Sequence, residues 1–217
     1  MSKPIVYLAV MLMLCFSAVL VAQDKPADKV AAPEVDKEGF RPLFNGKDLA
    51  NWKADDEAKK HWAIADGIIK YDGKNKDLWT QETFGDFVLK VDWRLLEKNG
   101  DSGIYLRGSS KCQCNIWCDP LGSGEVYGYR TDAKQPEEVR KACTPKKKAD
   151  KPVGEWNSFV ITMKGDRLTV VLNGDEVISN AQLPGAAAKG PIALQHHGNP
   201  MEFRNISLKE LKEPAAK

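Results

Sequence analysis

From Phe87 to Leu95 the chain alternates, with Phe87, Leu89, Val91, Trp93 and Leu95 on one parity and Val88, Lys90, Asp92 and Arg94 on the other. A period of two is the mark of a strand buried on one face. Two further β-rich runs, Trp156 to Met163 and Leu168 to Leu172, are joined by Lys164-Gly165-Asp166-Arg167. Asn173-Gly174 then supplies the positive φ angles of a tight hairpin before Asp175 to Ser179. Shorter strands are predicted at Ile68 to Tyr71, Leu78 to Thr80, Ile104 to Arg107, Cys112 to Trp117 and Ile206 to Leu211. One short helix is expected at Pro136 to Lys141, with Pro at its first position. Many short strands divided by Gly and Asn turns predict an all-β sandwich or jelly roll with one or two short helices.

Two segments carry the same alternation with polar residues on one face. If Ile192 to His197 is a strand, Ile192, Leu194 and His196 share one side and Ala193, Gln195 and His197 the other. In Cys112 to Trp117, the residues Cys112, Cys114 and Ile116 oppose Gln113, Asn115 and Trp117. Amides bond hydroxyls and an indole packs on the C–H face of a pyranose, so this second face suits sugar recognition. The alternative is an exposed sheet face with one surface-packed Trp.

The N-terminus changes the picture of where the protein works. Met1-Ser2-Lys3, an apolar run from about Ile5 to Val21, and Ala22 before a polar stretch describe a secretory signal peptide over residues 1–22. Residues 23–38, rich in Ala, Asp, Lys and Pro, read as a solvated linker. The domain proper is expected over residues 39–212, exported to the periplasm, cell surface or medium, with no membrane association once the leader is removed. Loss of Cys15 with the leader leaves Cys112, Cys114, Cys118 and Cys143, which in an oxidising compartment suggest two disulfides; a zinc site is the rival. The formal net charge of +2 argues neither for nor against nucleic acid, and no such partner is expected. Lys146-Lys147-Lys148 reads as a solvated loop.

Several blocks together resemble the 3-keto-disaccharide hydrolase family, formerly a domain of unknown function. They are Phe40 to Leu49 with Trp52, Trp62 to Gly67, Phe84 to Phe87, Asp101 to Arg107, Gly154 to Asn157, Leu172 to Gly174, Gly190 to Gly198 and Phe203 to Ile206. The resemblance implies a concanavalin A-like lectin/glucanase fold and action on 3-keto-glycosides, by hydrolysis or by elimination followed by hydration. It places His197 at the family's His in Leu-Gln-x-His-Gly. It also places Gln113 and Asn115 where relatives carry a Glu and a Gln two residues apart, so the acidic member is absent here. His196 stands where many relatives have Asp.

No Glu-x-Asp-x-x-Glu run of a retaining glucanase occurs. A 3-keto sugar needs less: a base for the C2 proton, an electrophile for the enolate oxygen and an acid for the leaving group. His197 is the expected base, because a free imidazole titrates near pH 6.5. Arg107 is the expected electrophile, with a structural salt bridge as its alternative. Gln113, Asn115 and Gln195 would position hydroxyls. The loop Gly122 to Asp132 brings Glu125 as a candidate acid, with Tyr127, Tyr129 and Asp132 as candidate substrate contacts, against the alternative of a loop packed by its own tyrosines. A divalent cation held by His197 with Glu125 or Asp132 is conceivable, although no ligand motif is dense enough to claim it. His196 and His61 are expected to be structural, and Arg204 and Glu202 to pair with each other. The expected partner is a carbohydrate, and the rival function is a non-catalytic lectin-like module binding glycan on the Gln113-Asn115-Trp117 face. No dinucleotide-binding glycine motif appears, so another protein must oxidise the substrate.

Overall fold

The structure is a computed structural model that describes residues 35–118 and 120–212. The expected signal peptide and most of the expected linker lie outside the described residues. Among the described residues twelve strands run in chain order: β1 (Arg41–Pro42), β2 (Trp62–Ala65), β3 (Ile68–Tyr71), β4 (Leu78–Trp79), β5 (Phe87–Leu95), β6 (Asp101–Leu106), β7 (Ser109–Trp117), β8 (Asn157–Lys164), β9 (Arg167–Leu172), β10 (Asp175–Gln182), β11 (Ala193–Leu194) and β12 (Met201–Glu210). Three short helices accompany them: α1 (Asp56–His61), α2 (Tyr127–Arg130) and α3 (Glu137–Ala142). That is one helix more than expected, and Pro136 is the N-cap of α3 rather than its first residue.

The strands form two antiparallel sheets. The larger has the order β10-β9-β8-β5-β12-β3-β2, with β1 also on β12; the smaller has the order β4-β11-β6-β7. The alternation in β5 is realised residue by residue, with Phe87, Leu89, Val91, Trp93 and Leu95 all buried. Phe159, Ile161 and Met163 on β8 continue this inner face, and Ile104, Cys114, Ile116 and Leu194 face it from the smaller sheet. Burying each such side chain contributes about 1.5–3 kcal/mol, so the alternation itself holds the two sheets together. The β9–β10 hairpin turns at Asn173 and Gly174, both at positive φ, as their sequence predicts.

Three local expectations are corrected. The two disulfides are not formed: Cys112, Cys114, Cys118 and Cys143 are free thiols. Cys112, Cys114 and Cys143 are buried in the core, where desolvation raises all three thiol pKa values, that of Cys143 to about 12. Glu202 and Arg204 do not pair with each other, because residues two apart on a strand reach more easily across to the neighbour. Glu202 takes Arg94 at 2.5 Å and Arg204 takes Asp92 at 3.4 Å, both on β5. Finally, only Ala193–Leu194 of the expected strand Ile192 to His197 is regular, since beyond Leu194 the chain leaves the ladder.

Candidate functional site

The smaller sheet has one face in the core and one face open. On the open face the register sets the side chains in rows. Trp79, Ala193, Tyr105 and Gln113 are consecutive cross-strand partners, as are Gly103 with Asn115 and Asp101 with Trp117. Gln195 joins the Gly103 row, its N–H donating to the Gly103 carbonyl at 2.9 Å. A cavity of about 290 Å³ lies over these rows, lined by Asp101, Gln113, Asn115, Trp117, Tyr127, Gln195 and His197. Six of the residues singled out from sequence thus meet in one cleft: alternation along β7 delivers Gln113, Asn115 and Trp117, Gln195 follows the end of β11, Tyr127 comes from α2 and His197 from the segment beyond the ladder.

The floor of the cleft is a belt of amides. Gln113 Nε2 donates to Gln195 Oε1 at 2.8 Å and to Asn115 Oδ1. Asn115 Nδ2 points at Glu125 Oε1 at 3.5 Å, and Glu125 Oε2 is held by Arg130 Nε. The carboxylate can only accept, so it orients the Asn115 amide, which in turn orients Gln113. Gly103 makes room for the belt: a Cβ there would stand 2.5 Å from Gln113 Nε2. Trp117 is fixed from behind by its indole N–H donating to the Gly122 carbonyl at 3.1 Å, and its ring meets Tyr127 edge-on at 6.3 Å.

His197 stands at the rim with its side chain half exposed, Nδ1 3.8 Å from Asp101 Oδ2. Burial raises the pKa of the Asp101 carboxyl, and the nearby His197 works against that rise. Tyr105 is buried one row deeper, where desolvation and then Asp77 raise its phenol pKa, while a hydrogen bond from Gln195 lowers it. The net result is a neutral phenol whose own O–H proton remains available, because its oxygen already accepts from Gln195. Sequence reading missed Asp101 and Tyr105, although they lie two residues either side of Gly103 and so share its face.

The remaining expected site residues lie elsewhere. Arg107 is at the far end of β6, and its guanidinium donates to the carbonyls of Gly85 (2.8 Å), Gly165 (2.6 Å) and Ala187 (3.0 Å) and to Asp86 (2.8 Å). It is a buried clamp on three loops and does not reach the cleft. Glu125 lies beneath the cleft and is fully buried, so it acts on the site through Asn115. Tyr129 is buried on the core side, its O–H donating to the Pro184 carbonyl at 3.1 Å. Asp132 is tied to Lys111 at 2.8 Å, and that bond, with the Lys134 and Gln135 N–H groups, lowers its pKa to about 2. The conceivable cation set of His197 with Glu125 or Asp132 is therefore not assembled. Among the described residues no group of three or more His, Cys, Asp or Glu stands together as a metal site. His196 turns away from the cleft to hydrogen-bond Tyr71, which stacks on Trp62 at 4.0 Å.

With this geometry in hand, residues 39–209 match the 3-keto-alpha-glucoside-1,2-lyase-like domain. The chain belongs to that family. A 3-keto-disaccharide hydrolase of Bacteroides thetaiotaomicron is 24% identical, the match covering 82% of this chain and 80% of the relative. A crystal structure of a protein described as a glycosyl hydrolase from Parabacteroides distasonis superposes with a TM-score of 0.63 at 24% identity, covering 88% of this chain and 95% of the other. A non-specific endo-β-1,3(4)-glucanase of family GH16 gives 0.51 at 12% identity over 83% and 95%. These structural likenesses show the concanavalin A-like sandwich as the fold of this family member.

Proposed function

We propose that the protein is an exported enzyme that cleaves 3-keto-glycosides by removing the proton at C2, expelling the group at C1 and adding water to the enone. The observation that carries this reading is the placement of His197, 3.8 Å from Asp101, at the edge of a cleft floored by amides. His197 takes the C2 proton, and Asp101 stabilises the imidazolium that forms. Because C1 and C2 are adjacent, the same imidazolium can return the proton to the departing oxygen. Tyr105, rather than the distant Arg107, meets the charge growing on the C3 oxygen with its O–H. Gln113, Asn115 and Gln195 hold the hydroxyls, and Trp117 and Tyr127 flank the ring. Export rests on the apolar leader in the sequence.

The test is mass spectrometry of products from 3-keto-disaccharides and from their unoxidised parents, each with EDTA and with added divalent metal. Cleavage of the keto forms alone is expected. Cleavage of the parents would overturn the elimination chemistry. No cleavage, with glycan binding retained, would turn the reading into that of a lectin-like module. Sensitivity to EDTA would add a metal to the electrophile's role.

A further inference from the structure

Two of the buried indoles, Trp52 and Trp62, give their N–H groups to the carbonyls of Leu43 and Lys76, each at 3.0 Å. Trp93 does not follow them. It is 1% exposed, and its Nε1 is buried with no hydrogen-bond partner among the described residues. Folding strips such a donor of water without replacing it, which is why unpaired buried donors are rare and call for a partner from outside the fold.

Trp93 also forms the floor of a cavity of about 340 Å³, where β5 and β7 end and β8 begins. Leu95, Pro152 and Val153 supply apolar walls, and Val153, 40% exposed, puts the mouth at the surface. Trp117 stands between this cavity and the cleft, so the two are separate chambers. The walls are fixed. Asn157, buried, accepts from the Lys151 N–H and from Asn173 Nδ2, each at 2.8 Å, which anchors the segment carrying Pro152 and Val153. Asp150 takes the Ser123 N–H at 3.2 and 3.0 Å on its two oxygens. A carboxylate has about four lone-pair sites, so Asp150 keeps the capacity to accept from a ligand as well.

We infer that this cavity is a second saccharide site, apart from the cleft, that holds one pyranose ring without cleaving it. A pyranose joins an apolar C–H face to an edge of hydroxyls, each of which both donates and accepts. The cavity offers the complement: a donor at Trp93 Nε1, acceptor capacity at Asp150, and the apolar surfaces of Leu95, Val153 and Trp117 for the C–H groups. Ligand cavities run upward from about 300 Å³, so this one suits a single ring rather than a chain. Of the groups assigned to the cleft only Trp117 lines it, so the ring is held and not cleaved.

The experiment titrates unoxidised methyl glucoside through the millimolar range into isotope-labelled protein and follows the Trp93 indole N–H by NMR, its resonance assigned from Trp93→Phe. A saturable downfield shift is expected as that proton enters a hydrogen bond. The shift should persist in His197→Ala, which alters only the cleft, and vanish in Val153→Trp, which fills the mouth. In Trp93→Phe, followed at the Leu95 amide, the apparent Kd should rise about three- to tenfold, the loss of one hydrogen bond. An unmoved Trp93 resonance, a shift that survives in Val153→Trp, or a Kd unchanged in Trp93→Phe would overturn the inference. Should Val153→Trp fail to fold, as a melting curve would show, the wild-type shift and Trp93→Phe decide. No arm depends on turnover, so failure of the proposed cleavage leaves this test intact.

Discussion

Arg107 and His197 are basic residues of the two most distinctive motifs, and they mark opposite ends of the same sheet. His197 stands beside Asp101, where β6 begins, and Arg107 follows Leu106, where it ends. Six extended residues separate the ends by about 20 Å. Arg107 is 3% exposed, with every face of its guanidinium engaged by carbonyls and Asp86, and its own backbone lies at a φ of +49° in the β6–β7 turn. His197 is half exposed and has a carboxylate for its neighbour. A buried cation whose donors are all satisfied is architecture; an accessible imidazole over a polar floor is equipped for proton transfer.

Substitution at the two ends should separate these roles. The largest effect on chemistry is expected for His197→Ala, a loss of about 10²–10⁴ in turnover with thermal stability unchanged, read by steady-state kinetics beside a melting curve. Arg107→Ala should do the reverse. It removes the buried guanidinium that ties Asp86 and the carbonyls of three loops together, lowering stability by about 1–3 kcal/mol in denaturant titration, while turnover per folded molecule persists. If Arg107→Ala instead folds normally and loses turnover, the contrast drawn between the two ends collapses.

A smaller effect is expected inside the cleft. Gly103→Ala places a methyl against Gln113, which can move only by leaving Asn115 or Gln195, so KM should rise about tenfold with a lesser change in kcat. Smallest is Asp132→Asn, outside the cleft. The lowered pKa of Asp132 means its contribution to stability is present above the unfolded carboxyl value near 4 and is lost as pH falls towards about 2. The variant should therefore melt below the wild type at pH 7 and together with it near pH 2, with turnover untouched at neutral pH. A loss of turnover in Asp132→Asn would return that residue to the site.

The contrast also shows what a sequence can and cannot disclose. Period-two alternation is a local property of the backbone, so β5, both faces of β7 and the side of the sheet that Gln195 follows from β11 were legible in the order of residues, whereas His197 was reached through its motif. The same reasoning reached Gln113, Asn115 and Trp117. Register between strands is not local. Asp101 opposite Trp117, and Tyr105 between Ala193 and Gln113, follow from pairings of β6 with β7 and β11 that no single segment announces. Arg107 misled because a motif shows that a basic residue belongs at a position, not which end of the strand holds the cleft. The cysteines misled through parity: an even count suggests bridges, whereas alternation turns Cys112 and Cys114 into core side chains. Helix α2 was hidden because four residues are too few for a helical period to show.

The central claim is that His197 removes the proton at C2. The most direct test runs a 3-keto-disaccharide in D2O with the wild type, with His197→Ala and without enzyme, and reads the C2 position of the released keto sugar by NMR at early times. The account predicts one deuterium at C2 in the wild-type product, above the uncatalysed exchange, and none above that background with His197→Ala. A wild-type product that keeps its original hydrogen at C2 would contradict it, because the glycosidic bond would then have broken without passing through the enone.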